Sequence, residues 1–425
     1  MSDASVGKAL DEYLGMIGDP AATLGELVAA DPDFIIGHTT LSALNSLGGL
    51  PGSHEAVREP LTVARALAGK TTKRERLHIE AATAWADGNI EAAAAHWEDA
   101  LRDDPADILS LRLAHDTHFF LGASQKLRDV PVAVLPSYAP GSRARGFVLG
   151  MASFGLEEMG DYAEAEKAGR EAVEINPADT WAVHAVAHVL EMQDRGAEGI
   201  AWLRGLEPHW TPATGLAVHQ WWHLALYLLE AGQLDEVLAL YDTHINPNPA
   251  SIVLDLVDAA ALLWRLELAG VDVGPRWQQL APFWATHAEE HVLAFNDLHI
   301  SLALTGAENT QAADLLDASI QNYAAREDGT NASVSRTLGL PVIRALRAFH
   351  TGDYARTVSL LAPLYKQLPP LGGSNAQRDL IIQTLGIAAH ESGDLGLVNE
   401  IAYERHKLKA GTPRAWRVFP ALQFS

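Results

Sequence analysis

A spacing that recurs around glycine restricts the fold more than any other feature of this chain. In ADGNIEAAAAHWEDALRDDP, Gly88 is followed by Ile90, Ala93, Trp97, Ala100 and Pro105 at offsets 2, 5, 9, 12 and 17. EMGDYAEAEKAGREAVEINP repeats those offsets with Gly160, Tyr162, Ala165, Gly169, Ala172 and Pro177, and HTGDYARTVSLLAPLYKQLP repeats them with Gly352, Tyr354, Thr357, Leu361, Leu364 and Pro369. A helix hairpin needs this pattern: glycine ends the first helix, small residues let the second approach, a bulky one fills the gap, and proline starts the next unit. Turns are predicted near Gly49, Gly88, Gly122, Gly160, Gly196, Gly232, Gly270, Gly306, Gly352 and Gly393. From Gly88 to Gly306 the steps are 34, 38, 36, 36, 38 and 36 residues, and the following step of 46 predicts an inserted loop over Arg326 to Pro341.

This period resembles the tetratricopeptide repeat. Apolar spacing of three and four dominates, and β-branched alternation is short everywhere. The expectation is an all-α chain, a tetratricopeptide-like right-handed superhelix of about ten helix hairpins, forming a single solenoid over residues 1–425. By analogy with such arrays, the first helix of each hairpin lines the concave side.

Composition narrows the chemistry. With 31 Lys+Arg against 54 Asp+Glu the net charge is −23, which repels phosphate backbones and anionic membranes, so neither nucleic acid nor membrane is an expected partner. No apolar run approaches the ~20 residues of a bilayer span, and MSDASVGKAL lacks the character of a leader, so a cytoplasmic setting is expected. There are 0 cysteines, so any metal must sit on histidine and carboxylate, and the 18 histidines are the residues to follow.

Two histidine pairs stand out. WAVHAVAHVLEM carries His184 and His188 with Glu191 beyond them, and AVHQWWHLALYLLE carries His219 and His223. Residues four apart share a helix face, and helices of successive hairpins lie about 8–10 Å apart, so four imidazoles can converge. Counted back from Gly196 and Gly232, the pairs fall 12 and 8, then 13 and 9, residues before their turns. Three such ligands with an open position suit Zn or Fe, and Glu191 or Asp116 is the candidate general base on a metal-bound water. His115, Asp297 and His299 lie on other first helices and are candidate ligand-binding groups, with Trp222 as an aromatic wall. Packing in a polar-lined core gives the same spacing, and both readings stay open.

In GGSNAQRD, Ser374 and Gln377 read as a capping box, while the two glycines and Arg378 also suit an anionic ligand. Neither H-E-x-x-H, G-x-S-x-G nor G-x-x-x-x-G-K-[ST] occurs, so zincin, nucleophile-elbow and P-loop readings fail and no nucleotide cofactor is indicated.

The stretches DPDFIIGHTTLSAL, RERLHIEAATAWADGN, AHDTHFFLG, TWAVHAVAHVLEM, HQWWHLALYLLEAGQ, YDTHI, GVDVGPRWQ, HVLAFNDLHI and GGSNAQRD are similar to the tetratricopeptide repeat protein 38 family, from roughly Asp31 to Lys409. The resemblance implies the repeat fold, an intracellular setting and a set of signature polar positions, without an established activity. The matching positions include His38, His78, His115, Asp116, His184, His188, Glu191, His219, His223, Asp242, His244, His287, His291, Asn296, Asp297, His299, Arg378 and Asp379.

Three function classes follow. The first is a protein that binds a small ligand or metal ion in a His/Asp/Trp-lined interior, which the residues favour. The second is a metal-dependent hydrolase using the histidine cluster. The third is an adaptor taking a peptide along its groove, whose usual basic or Asn-rich face is not evident here. A homo-oligomer is compatible with each.

Overall fold

The computed structural model describes residues 3–247, 252–326 and 328–409. All regular elements among them are helical, and no strand is present. The helices are α1 (Asp3–Gly15), α2 (Pro20–Ala30), α3 (Ile35–Leu47), α4 (Glu55–Ala66), α5 (Lys73–Ala86), α6 (Ile90–Asp103), α7 (Ile108–Phe120), α8 (Ser124–Val134), α9 (Arg143–Glu158), α10 (Tyr162–Ile175), α11 (Thr180–Met192) and α12 (Gly196–Trp210). They continue as α13 (Ala217–Glu230), α14 (Leu234–Leu240), α15 (Val253–Leu268), α16 (Arg276–Ala285), α17 (Ala294–Gly306), α18 (Thr310–Arg326), α19 (Thr330–Val334), α20 (Leu340–His350), α21 (Tyr354–Leu361), α22 (Asn375–Glu391) and α23 (Leu395–Leu408). From α3 onward they run as helix hairpins of the tetratricopeptide kind, preceded by a hairpin of α1 and α2.

The hairpin chemistry is the one the glycine spacing implies. Ala93, Trp97 and Ala100 of α6 are buried, as are Ala165, Gly169 and Ala172 of α10. A Cβ on Gly169 would lie 2.6 Å from Val186 Cγ2 and 2.7 Å from Ser153 Oγ, so the approach of neighbouring helices there tolerates no side chain. Eight of the ten expected turn glycines hold left-handed φ angles, from 61° at Gly122 to 98° at Gly49.

The other two do not. Asp194 (φ 56°) and Glu308 (φ 57°) occupy the turn positions, while Gly196 opens α12 and Gly306 closes α17. Gly306 serves packing instead, since a Cβ there would lie 2.4 Å from the Trp277 ring. From Gly88 to Glu308 the turns therefore step by 34, 38, 34, 38, 38 and 38 residues. The expected inserted loop is also helical: α19 passes through a π-helical turn, Ser335–Gly339, into α20. Pro341 has no N–H to continue an α-helical ladder, and a π turn just before it absorbs that break.

By internal packing the chain divides into two units, the first of residues 1–186, 206–217 and 328–331, the second of 187–205, 218–327 and 332–425. The division falls within α11, which runs unbroken through it. In the first unit Leu111, Leu127, Val148, Met151 and Phe154 form the centre of an apolar cluster. In the second, α22 packs on α15: Trp264 Nε1 donates to Thr384 Oγ1 at 2.9 Å, and Arg265 donates to the Ala376 carbonyl at 2.6 Å.

Candidate metal centre

Helix α11 is buried at every position from Thr180 to Met192, although three of its residues are His184, His188 and Glu191. Polar groups in such a place persist only when paired. Within the second unit, the His188 and His223 ring centroids are 4.4 Å apart, and those of His219 and His223 are 4.7 Å apart. His184 lies one turn before His188 on the same unbroken helix. Among these, His188, His219 and His223 each offer a ring nitrogen within 4.8 Å of the others, while His184 belongs to the first unit.

The corrected turn positions explain how the rings mesh. His184 and His188 precede Asp194 by 10 and 6 residues, whereas His219 and His223 precede Gly232 by 13 and 9. The pairs are thus staggered by nearly one helical turn, not level as the glycines alone suggest.

Two carboxylates orient the rings. Asp258 on α15 accepts from His219 Nδ1 at 2.8 and 2.9 Å. Because a carboxylate can only accept, the proton sits on Nδ1 and the Nε2 lone pair is left outward. Glu191 Oε2 stands 3.4 Å from His223 Nδ1 and biases that ring the same way. Trp222 stacks under His219 with centroids 5.0 Å apart and planes inclined by 12°.

The electrostatics keep His188 and His223 neutral, the form that binds metal. Burial pushes His188 well below the usual histidine range, and the neighbouring His223 adds to this. Burial also lowers His223, against the opposing pull of Glu191. For Glu191 burial alone would raise the carboxyl, but Lys409 at 3.3 Å and His223 together hold it below the carboxylate range. Lys409 is itself held charged against its burial by Glu230 and Glu191. A second buried pair lies behind this one, with Arg405 donating to both Asp379 oxygens at 2.9 and 2.6 Å.

The remaining candidates from the sequence divide between the two units. Asp116 is in the first unit and accepts from Tyr13 Oη at 2.7 Å and Arg112 Nε at 3.0 Å. His115 is buried there, edge-on to Phe154 and Trp181 with centroids 6.1 and 5.5 Å away. In the second unit, Asp297 pairs with His291, and His299 Nδ1 donates to the Phe295 carbonyl at 2.7 Å. Arg378 donates to the Gly372 and Gly373 carbonyls and to Asn375 Oδ1, which ties down the turn before α22, and Ser374 and Gln377 form the expected capping box. Glu191 sits beside His223 and Lys409.

Asp258 and Lys409 are the participants that sequence reasoning missed. Asp258 was within reach: it precedes Gly270 by 12 residues, almost the offset of His219 from Gly232, so repeat register places both at one height on successive helices. Lys409 meets Glu191 across 218 positions of sequence, and no local pattern reports such a contact.

No protein-family model matches the chain. Among solved structures it is similar to a human IFIT1 dimer with PPP-AAAA, at 13% identity and a TM-score of 0.43, over 94% of this chain and 95% of that one. A second human IFIT1 dimer, with m7Gppp-AAAA, gives 13% identity and a TM-score of 0.41 over 96% and 100% of the two chains. The likeness is one of helical architecture. No helix among the described residues is long and apolar enough to cross a membrane.

Proposed function

We propose that this protein binds one divalent transition metal ion, Zn²⁺ or Fe²⁺, through His188, His219 and His223 of the second unit. The observation that carries the reading is the pair of carboxylate-to-imidazole contacts, Asp258 to His219 and Glu191 to His223. Metal-ligating histidines characteristically hand their other nitrogen to a carboxylate, which fixes tautomer and ring orientation. Imidazole-rich sites with no thiolate suit zinc or iron. His219, the one partly exposed member of the four, marks the side from which an ion enters.

Three imidazoles leave one coordination position for water, which is what a metal-dependent hydrolase at this site would require. The motifs similar to the tetratricopeptide repeat protein 38 family support this reading, since all four histidines and Glu191 are among the matching positions. A cysteine-free, acidic chain suits the cytoplasm. The test is metal analysis of the purified chain together with Asp258→Asn. About one equivalent of metal is expected, with affinity reduced about 10–100-fold in the variant. Substoichiometric metal, with no thermal shift on adding Zn²⁺ or Fe²⁺, would overturn the proposal.

A further inference from the structure

A second constellation in the second unit involves neither the histidine cluster nor its carboxylates. His291 Nε2 lies 2.8 Å from Ser319 Oγ, and His291 Nδ1 lies 3.2 and 3.3 Å from the two oxygens of Asp297. Asp297 is 1% exposed and His291 7%, whereas Ser319 on α18 is half-buried. The Asp297 carboxylate can only accept, so the His291 proton sits on Nδ1, and Nε2 accepts from the Ser319 hydroxyl. Buried acid, oriented imidazole and accessible hydroxyl stand in the order that activates a serine nucleophile.

Two features mark this as more than an interhelical hydrogen bond. His291 holds φ 46°, a left-handed conformation that a non-glycine residue adopts at a cost of about 1–2 kcal/mol, and which aims its ring at α18. Around Ser319 the helix face is apolar and aromatic: Tyr323, one turn on, stacks against His291 with centroids 5.1 Å apart, and Leu315, one turn back, is 65% exposed. The space behind His291 and Asp297 is only about 10 Å³, room for roughly one water, so a substrate must approach from the Ser319 side. Such a triad is recognised by geometry and not by sequence position, which is why the absence of G-x-S-x-G does not exclude it.

We propose that Ser319, His291 and Asp297 form a serine nucleophile site that hydrolyses esters of small apolar acyl groups, with Leu315 and Tyr323 contacting the acyl chain. Ser319 Oγ bonds to the acyl carbon while its proton passes to His291 Nε2. The bond to the leaving alcohol then breaks, and that proton goes to the departing alkoxide. Water attacks the acyl-serine, gives its proton through His291 back to Ser319 Oγ, and releases the acid.

The test uses the full chain and a fluorophosphonate probe, with the adduct located by peptide mass spectrometry. Labelling is expected on Ser319 and absent in Ser319→Ala. It slows by at least about 100-fold in His291→Gln, the scale on which a general base contributes. Asp297→Asn slows it as well and carries the comparison should His291→Gln fail to fold. Labelling persists after chelation, which separates this site from the metal centre. No adduct on Ser319, or an unchanged labelling rate in His291→Gln or in a folded Asp297→Asn, would overturn the proposal.

Discussion

His78 and His299 show how single residues couple this fold to pH. Each is buried, and burial lowers each from the usual histidine value to about 4. His78 Nε2 is 2.9 Å from Ser110 Oγ, a neutral partner that does not offset the lost hydration of an imidazolium. Because the folded value lies below the unfolded one, the unfolded chain binds the proton first. Stability is therefore complete above about pH 6.5 and falls as pH drops toward 4, by on the order of 3 kcal/mol for a fully buried group. Urea midpoints measured from pH 7 to 4.5 should fall through this window, and less steeply in His78→Gln; parallel curves for the two proteins would contradict it. At the same scale, Asp258→Asn should weaken metal binding while leaving the apo-protein's melting temperature within a few degrees, because Asp258 works through the His219 tautomer and not through the apolar core.

Individual helices and their turns test the repeat reading. Where glycine occupies the left-handed turn, as at Gly88 and Gly160, sequence and structure agree; where Asp194 and Glu308 occupy it, the sequence gives no cue and the nearby Gly196 and Gly306 mislead. Glu308→Gly should remove left-handed strain and raise stability by about 0.5–1 kcal/mol, measurable as a higher denaturation midpoint. The reverse holds at Gly155, where a Cβ would lie 2.1 Å from the Leu127 carbonyl oxygen and drive α9 off α8. Gly155→Ala should destabilise by about 1–3 kcal/mol, and a neutral result would show that the two helices can part without penalty. The segment from Thr330 to Pro341 was illegible for a related reason: Gly339 and Pro341 are loop signals locally, and only a π turn reconciles them with a continuing helix.

Across the molecule, the fold class was legible because helix hairpins repeat the same local chemistry many times, so each copy confirms the others. The site was legible only in part. Paired histidines on α11 and α13 announce themselves by spacing, and Asp258 follows once the turns are counted correctly. Lys409, Asp379 and Arg405 do not, because their contacts depend on how the last hairpin packs within the second unit. In the proposed metal centre, the buried charges behind Glu191 hold its carboxylate ionised. A ligand that binds the folded state alone stabilises it by RT ln(1 + [L]/Kd), about 2.7 kcal/mol at a hundredfold excess over Kd. The most direct measurement is metal content by elemental analysis, paired with thermal denaturation before and after chelation, in the native chain and in His223→Ala. The account predicts about one equivalent of zinc or iron, a melting temperature that falls on chelation and returns with metal, and neither property in a His223→Ala protein that still folds. A metal-free chain whose melting temperature ignores both chelator and added ion would contradict it and return the four histidines to the core.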